Sequence, residues 1–258
     1  MEIKNLVVKV GTSTLTYETG LINLHRIERL ARVLSDIKNR GINVVLVSSG
    51  AVGVGMGKLG MKEKPQKIRE KQAIAAVGQA ELMNIYSKMF SDYGISVAQV
   101  LLTKDVVNDE KLKHNAEGTF QSLLSLGVVP IVNENDVISS YELEFGDNDT
   151  LSAYVSQLMG ADLLIILSDI EGLYDSDPKT SINARLLGNV EKVTDEIRKI
   201  AGGSGSNRGT GGMQTKLDAV EIAAEHNINT VIANGEYPSV IYDIVEGKPR
   251  GTFFGKRV

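Results

Sequence analysis

Short apolar runs alternate with stretches of helical periodicity along nearly the whole chain. In the first run Leu6, Val7, Val8 and Val10 predict a buried strand, interrupted by Lys9 and closed by the turn Gly11-Thr12-Ser13. Ile27, Leu30, Ala31, Leu34 and Ile37 then share one face of a helix over 26–39, with Gly41 as its stop. A strand at 43–50 ends in Ser48-Ser49-Gly50 and leads into a glycine-rich run to Gly60. Beyond it the pattern predicts a helical region within 65–93, a strand at 96–103, a helix at 115–126 stopped by Gly127, and a strand at 128–136 that turns polar at Asn133. Tyr141, Leu143 and Phe145 alternate with polar residues, as in an exposed hairpin or edge strand. A helix from Asp149 to Met159 precedes the most apolar strand, 161–169, and a long irregular stretch follows. Helices at 195–201 and 214–226 and strands at 230–235 and 251–254 complete the chain.

Strands alternating with helices predict an α/β protein with a mainly parallel sheet and helices on both faces. In such sheets ligands bind beyond the carboxyl ends of the strands. Here those ends carry Lys9-Gly11, Ser48-Gly50, Thr103-Lys104, Asn133-Asp136, Ser168-Asp169 and Asn234-Gly235, so one rim collects the polar and glycine residues. A soft boundary near Gly160 divides the chain into two lobes.

Composition narrows the chemistry. The 258 residues carry no cysteine and a net charge of −4. Thiolate nucleophiles, thiolate metal sites and disulfides are thereby excluded, and nothing suggests a nucleic-acid surface. No apolar run reaches membrane-spanning length, and the N-terminus lacks a signal-peptide layout, so a cytoplasmic protein is expected. His25, His114 and His226 are scattered and read as surface residues. The pattern G-x-G-x-x-G at Gly55, Gly57 and Gly60 does not directly follow a strand, and suits a tight turn and close helix packing better than a dinucleotide site.

More informative is GTGGMQTK at 209–216, where glycines precede a helix that carries Thr215 and Lys216 in its first turn, an anion-binding arrangement. GDNDT at 146–150 and VNEND at 132–136 hold more carboxylates and amides than capping or a turn requires. Two lysines, glycine turns and acidic or amide groups around one cleft suit phosphoryl transfer, which depends on positioning and charge neutralisation. A carboxylate acceptor is already ionised at neutral pH and needs no general base.

LVVKVGTS, VSSGAV, KQAIAAVGQ, VPIVNEND, GDNDTLSA, LSDIEGLYDSDP and GTGGMQTK occur in an order that resembles the amino-acid kinase family, and within it the branch that phosphorylates glutamate. The resemblance covers essentially the whole chain. It implies an αβα sandwich around a mainly parallel central sheet, and ATP-dependent phosphorylation of the γ-carboxylate of L-glutamate as the first step of proline synthesis. It further implies that Lys9 and Lys216 flank the transferred phosphoryl group while Asp149 holds them. Ser49, Asp136 and Asn148 would bind glutamate, with Gly50 and Ala51 allowing close backbone approach. The nucleotide would be held by Lys9, Gly11, Ser168, Asp169 and the run Thr210, Gly211, Gly212, Met213, Gln214, Thr215 and Lys216, with Tyr174, Asp177 and Pro178 lining its pocket. ATP would bring Mg²⁺, with no protein ligand required to touch the metal. Residues 1–160 would mainly bind the amino acid and 161–258 mainly ATP. Proline as feedback inhibitor, a homo-oligomer and hand-off to glutamyl phosphate reductase are also implied, without a nucleic-acid or membrane partner. Many bacterial members add a C-terminal PUA domain; this chain ends at Val258, so none is expected. The alternative acceptors within the family are acetylglutamate, carbamate, aspartate and UMP.

Overall fold

The computed structural model describes residues 2–17, 21–139, 148–178, 180–201 and 212–256. The chain opens with β1 (Asn5–Val10), a single helical turn α1 (Thr12–Leu15) and helix α2 (Leu24–Asn39). β2 (Asn43–Ser48), α3 (Ala51–Lys58) and α4 (Ile68–Ser91) follow, then β3 (Val97–Leu102), α5 (Asp105–Asn108), α6 (Glu110–Ser125) and β4 (Val129–Glu134). The second half holds α7 (Asn148–Leu158), β5 (Leu163–Ser168), β6 (Asn189–Val190), α8 (Asp195–Ala201), α9 (Met213–Glu225), β7 (Asn229–Asn234), α10 (Val240–Val245) and β8 (Thr252–Phe254).

The strands form one sheet in the order β3-β4-β2-β1-β5-β7-β8-β6. Only the β7–β8 pairing is antiparallel; the other neighbours run parallel. β1 lies at the centre, with Leu6–Val10 in register with Val44–Ser48 of β2 on one side and Leu163–Leu167 of β5 on the other. Strand periodicity sends alternate side chains to opposite faces. Leu6, Val8 and Val10 pack with α2 and α4 through Ile27, Leu30, Leu82, Tyr86 and Phe90. Val7 packs with α7 and α9 through Leu151, Val155, Leu217 and Val220. Lys9 shares the parity of Val7, so it too is directed to the α7–α9 face. Sheet and helix layers on both sides make the expected αβα sandwich.

Local signals explain most boundaries. Asn23 caps α2 by accepting the Arg26 N–H at 3.0 Å, and Gly41 ends it at φ 90°. α6 starts at Glu110, five residues before the predicted 115, because Asp109 accepts the N–H groups of Lys111 and Leu112 at 2.8 and 3.0 Å. Its first two turns are charged and largely exposed, so no apolar stripe betrays them. The glycine-rich run after β2 is helical rather than irregular. Gly55 of α3 and Gly78 of α4 let the two backbones touch: a Cβ on Gly78 would fall 1.7 Å from the Ala51 carbonyl oxygen, and one on Gly55 would fall 2.1 Å from that of Ile74. Gly60, at φ 66°, makes the turn beyond α3. Close helix packing and a tight turn are thus what these glycines provide. β6 lies in the stretch expected to be irregular, and α1, α5 and α10 were unmarked by periodicity. The hairpin expected around Tyr141, Leu143 and Phe145 lies outside the described residues. Among the described residues, no helix is long and apolar enough to cross a membrane.

Candidate active site

The carboxyl ends of β1, β2, β4 and β5 meet the N-terminal ends of α7 and α9, and three charged side chains lie buried there. Lys9, at 6% exposure, comes from β1; Asp149, at 0%, from the first turn of α7; Lys216, at 5%, from the first turn of α9. Lys9 Nζ lies 2.5 Å from Asp149 Oδ1, and Lys216 Nζ donates to Asp149 Oδ2 at 2.9 Å. One carboxylate therefore holds two ammonium groups, one on each oxygen. Thr215 Oγ1 adds a contact to Oδ2 at 3.2 Å. Burial would push the Asp149 carboxyl up, but the two lysines together outweigh it and hold it down at about 2. Among the described residues, two ammonium groups thus share one buried carboxylate.

Two features beside the cluster suit an anion. Gly212 caps α9 and brings no side chain to the first N–H groups of the helix, which keep their positive end toward the cleft. A Cβ on Gly11 would stand 3.6 Å from Lys9 Nζ, in the space an anion beside that ammonium would use.

Next to this cluster lies an amide network. Asn148, also in the first turn of α7, donates from Nδ2 to the Ser48 carbonyl and to Asn133 Oδ1, both at 2.8 Å, and the same nitrogen lies 2.9 Å from Ser49 Oγ. Ser49 and Asn148, both anticipated, are thus in contact. Gly50 precedes α3 at φ 101°, a left-handed conformation that favours glycine, and Ala51 begins that helix. Asp136 is half-buried in the turn after β4. Asn133 and Gln79 were not anticipated as site residues: Asn133 Nδ2 donates to Gln79 Oε1 at 2.9 Å. Gln79 falls in the buried stripe of α4 with Ala75, Leu82 and Tyr86, and an amide within such a stripe is the signal that could have flagged it.

A second cleft opens on the other side of Lys216. Ser168, Asp169, Tyr174, Asp177, Pro178, Gly212 and Met213, all among the residues expected to hold the nucleotide, line this one cleft. Ile170, Leu173, Ile200 and Ala201 line it as well and supply an apolar wall. The Gln214 side chain is not among them, because it is engaged with α8: Nε2 donates to the Arg198 carbonyl at 2.6 Å and Oε1 accepts from Arg198 Nη1 at 3.3 Å. Arg198 also bridges to Asp218 at 2.7 Å and to Glu221, pinning α8 to α9. Thr210 and Gly211 lie outside the described residues. His25, His114 and His226 are all exposed. Among the described residues, no three His, Cys, Asp or Glu gather where one metal ion could be held.

A sequence profile described as the amino acid kinase family matches residues 4–234. The chain is 58% identical over 255 residues to the glutamate 5-kinase of Clostridium perfringens, across 97% of this chain and 95% of that protein. It is 55% identical over 253 residues to the glutamate 5-kinase of Clostridium tetani, across 98% of this chain and 95% of that protein. Among solved structures, UMP kinase from Bacillus anthracis superposes with a TM-score of 0.67 at 18% identity, across 100% of this chain and 98% of that one. An isopentenyl phosphate kinase superposes with a TM-score of 0.67 at 17% identity, across 97% and 99%. These two likenesses speak for the fold.

Proposed function

Because the chain belongs to the amino acid kinase family, we propose that it transfers the γ-phosphoryl group of ATP to the γ-carboxylate of L-glutamate, giving L-glutamyl 5-phosphate, the first step of proline biosynthesis. The observation that carries this reading is the pair of buried lysines sharing the two oxygens of buried Asp149. In the reaction a γ-carboxylate oxygen forms a bond to the γ-phosphorus. The bond from that phosphorus to the β–γ bridging oxygen breaks, and ADP leaves with the electron pair. Lys9 and Lys216 stand on either side of the moving group and neutralise its charge, and Asp149 keeps both ammonium groups placed before substrate arrives. No proton has to be removed from the acceptor, which accounts for a site without histidine or cysteine.

Ser49, Asp136 and Asn148 hold the amino acid on the side of β2 and β4, within residues 1–160. The cleft between Ser168–Pro178 and the start of α9 holds the nucleotide, within residues 161–258. Its apolar wall suits a base, and its Lys216 end suits phosphates. Magnesium held by the nucleotide itself would add charge neutralisation there, with Lys9 and Lys216 as the protein's own cations beside it.

The reading is tested by coupled assay of ADP release with glutamate, acetylglutamate, carbamate, aspartate and UMP as acceptors. Glutamate should give the highest kcat/KM; a higher value for any other acceptor would overturn the assignment.

A further inference from the structure

The amide network has a polarity dictated by two backbone groups. The Glu134 N–H donates to Asn133 at 2.9 Å, and the Ser48 carbonyl accepts from Asn148 at 2.8 Å. A backbone N–H can only donate and a carbonyl can only accept, so Asn133 must present its oxygen to the first and Asn148 its nitrogen to the second. Asn133 Oδ1 then receives the other Asn148 N–H at 2.8 Å. Both hydrogens of the Asn148 amide are committed to groups that only accept. Ser49 Oγ, 2.9 Å from the same nitrogen, therefore keeps its own proton for an outside acceptor, and Asn148 Oδ1 is left to receive an outside donor.

The same logic runs outward. With its oxygen occupied, Asn133 has only Nδ2 to offer, and Gln79 Oε1 takes it at 2.9 Å. Gln79 Nε2 is consequently left buried and without a hydrogen-bond partner. An unpartnered buried N–H weakens a fold. It is retained here at the far end of a chain of amides whose near end faces the acceptor.

We propose that Gln79, acting through Asn133, is a positioning residue that holds the Asn148 amide with its oxygen toward the acceptor amino acid. The inference rests on the reading above that Ser49 and Asn148 bind glutamate, and it specifies how. Glutamate has one donor group, its α-ammonium, while both carboxylates only accept. Asn148 Oδ1 therefore takes the α-ammonium and the Ser49 hydroxyl takes a carboxylate oxygen. Without Gln79 Oε1, Asn133 Nδ2 becomes a buried donor lacking this partner. The Asn133 side chain then turns away to find one and releases Asn148.

Steady-state kinetics of the full chain, with each substrate varied in turn, test the role. Gln79→Met keeps side-chain length and removes the acceptor; it should raise KM for glutamate about tenfold or more, with KM for ATP changed by less than about twofold. Gln79→Glu keeps an oxygen for Asn133 Nδ2 and drops the orphaned N–H; its glutamate KM should stay within about threefold of the parent. An unchanged glutamate KM in the Met variant, or equal losses for both substrates, would overturn the proposal. So would a Glu variant as impaired as the Met variant. Should the Met variant lose its cooperative thermal melt, the Glu variant decides alone: a retained glutamate KM supports the role and a raised one refutes it. The parent chain in the same assay separates the two levels. No turnover of glutamate by the parent overturns both readings, whereas normal turnover with an unresponsive Gln79→Met removes only the role of Gln79.

Discussion

Removing the Asp149 carboxylate would take from two buried ammonium groups the anion they share. Breaking such a buried pair from one side costs about 3–5 kcal/mol, so Asp149→Asn should be destabilised by that order. The pH dependence follows from the direction of the shift. The folded-state value of Asp149 lies below its ordinary carboxylate value, so its contribution to stability is complete above about pH 4 and is lost as pH falls toward 2. Urea titrations of the parent between pH 6 and 2 should show that loss, and Asp149→Asn should lack this component. Lys216→Ala should lower kcat on the order of 10²-fold or more, as when a transition-state charge partner is removed; turnover within threefold of the parent would refute its role. These three residues were legible in the sequence because each is a charged group at the end of an apolar run or the start of a helix. The pairing of Gln79 with Asn133 was not, since Asn133 shows only as one of several polar groups at a strand end, Gln79 as one amide in an apolar stripe, and they meet across 54 residues.

The crossing of α3 and α4 sets the position of the acceptor loop. Gly78 rests against the Ala51 carbonyl, and Ala51 follows directly on Ser49-Gly50, so the packing of α4 fixes where that loop stands. Gln79 is the next residue of α4, which ties the outer amide to the same contact. Gly78→Ala would drive a methyl group into backbone that cannot yield by a rotamer change. We expect a loss of about 1–3 kcal/mol or more, seen as a lower midpoint in thermal denaturation, with a raised glutamate KM in whatever folds. Sequence periodicity identified α4 and the close packing of the glycines, yet not that α3 is a helix. Three glycines in eight residues each weigh against helix by roughly 1 kcal/mol relative to alanine, and only the tertiary contact reverses the balance. The late prediction of α6 has the opposite origin: its early turns bury little, so capping by Asp109 marks the start and hydrophobic spacing does not.

Across the whole molecule the alternation of strands and helices was enough to give a parallel sheet and its functional rim, because each strand reads locally. Strand order was not legible, since it depends on which long-range pairs form. That order makes the division near Gly160 a boundary in sequence alone: β5, just beyond it, pairs along β1 through Leu6–Val10, and the sheet runs on without a break. With β1 also paired to β2 through the same residues, the acceptor-side strand ends and the strand carrying Lys9 belong to one hydrogen-bonded sheet. The spacing between Ser49, just beyond β2, and Lys9, on β1, is therefore set by one pair of hydrogen-bonded strands, which can act as a ruler. An acceptor anchored at its α-carbon is measured against that length. If glutamate binds there as proposed, its distal carboxylate would reach the mark, whereas aspartate, one methylene shorter, would fall short on the order of 1 Å, a misplacement large enough to cost about 10²-fold in rate. On the proposed binding mode, selection between two acids of identical charge and identical functional groups would then come from the span of a sheet.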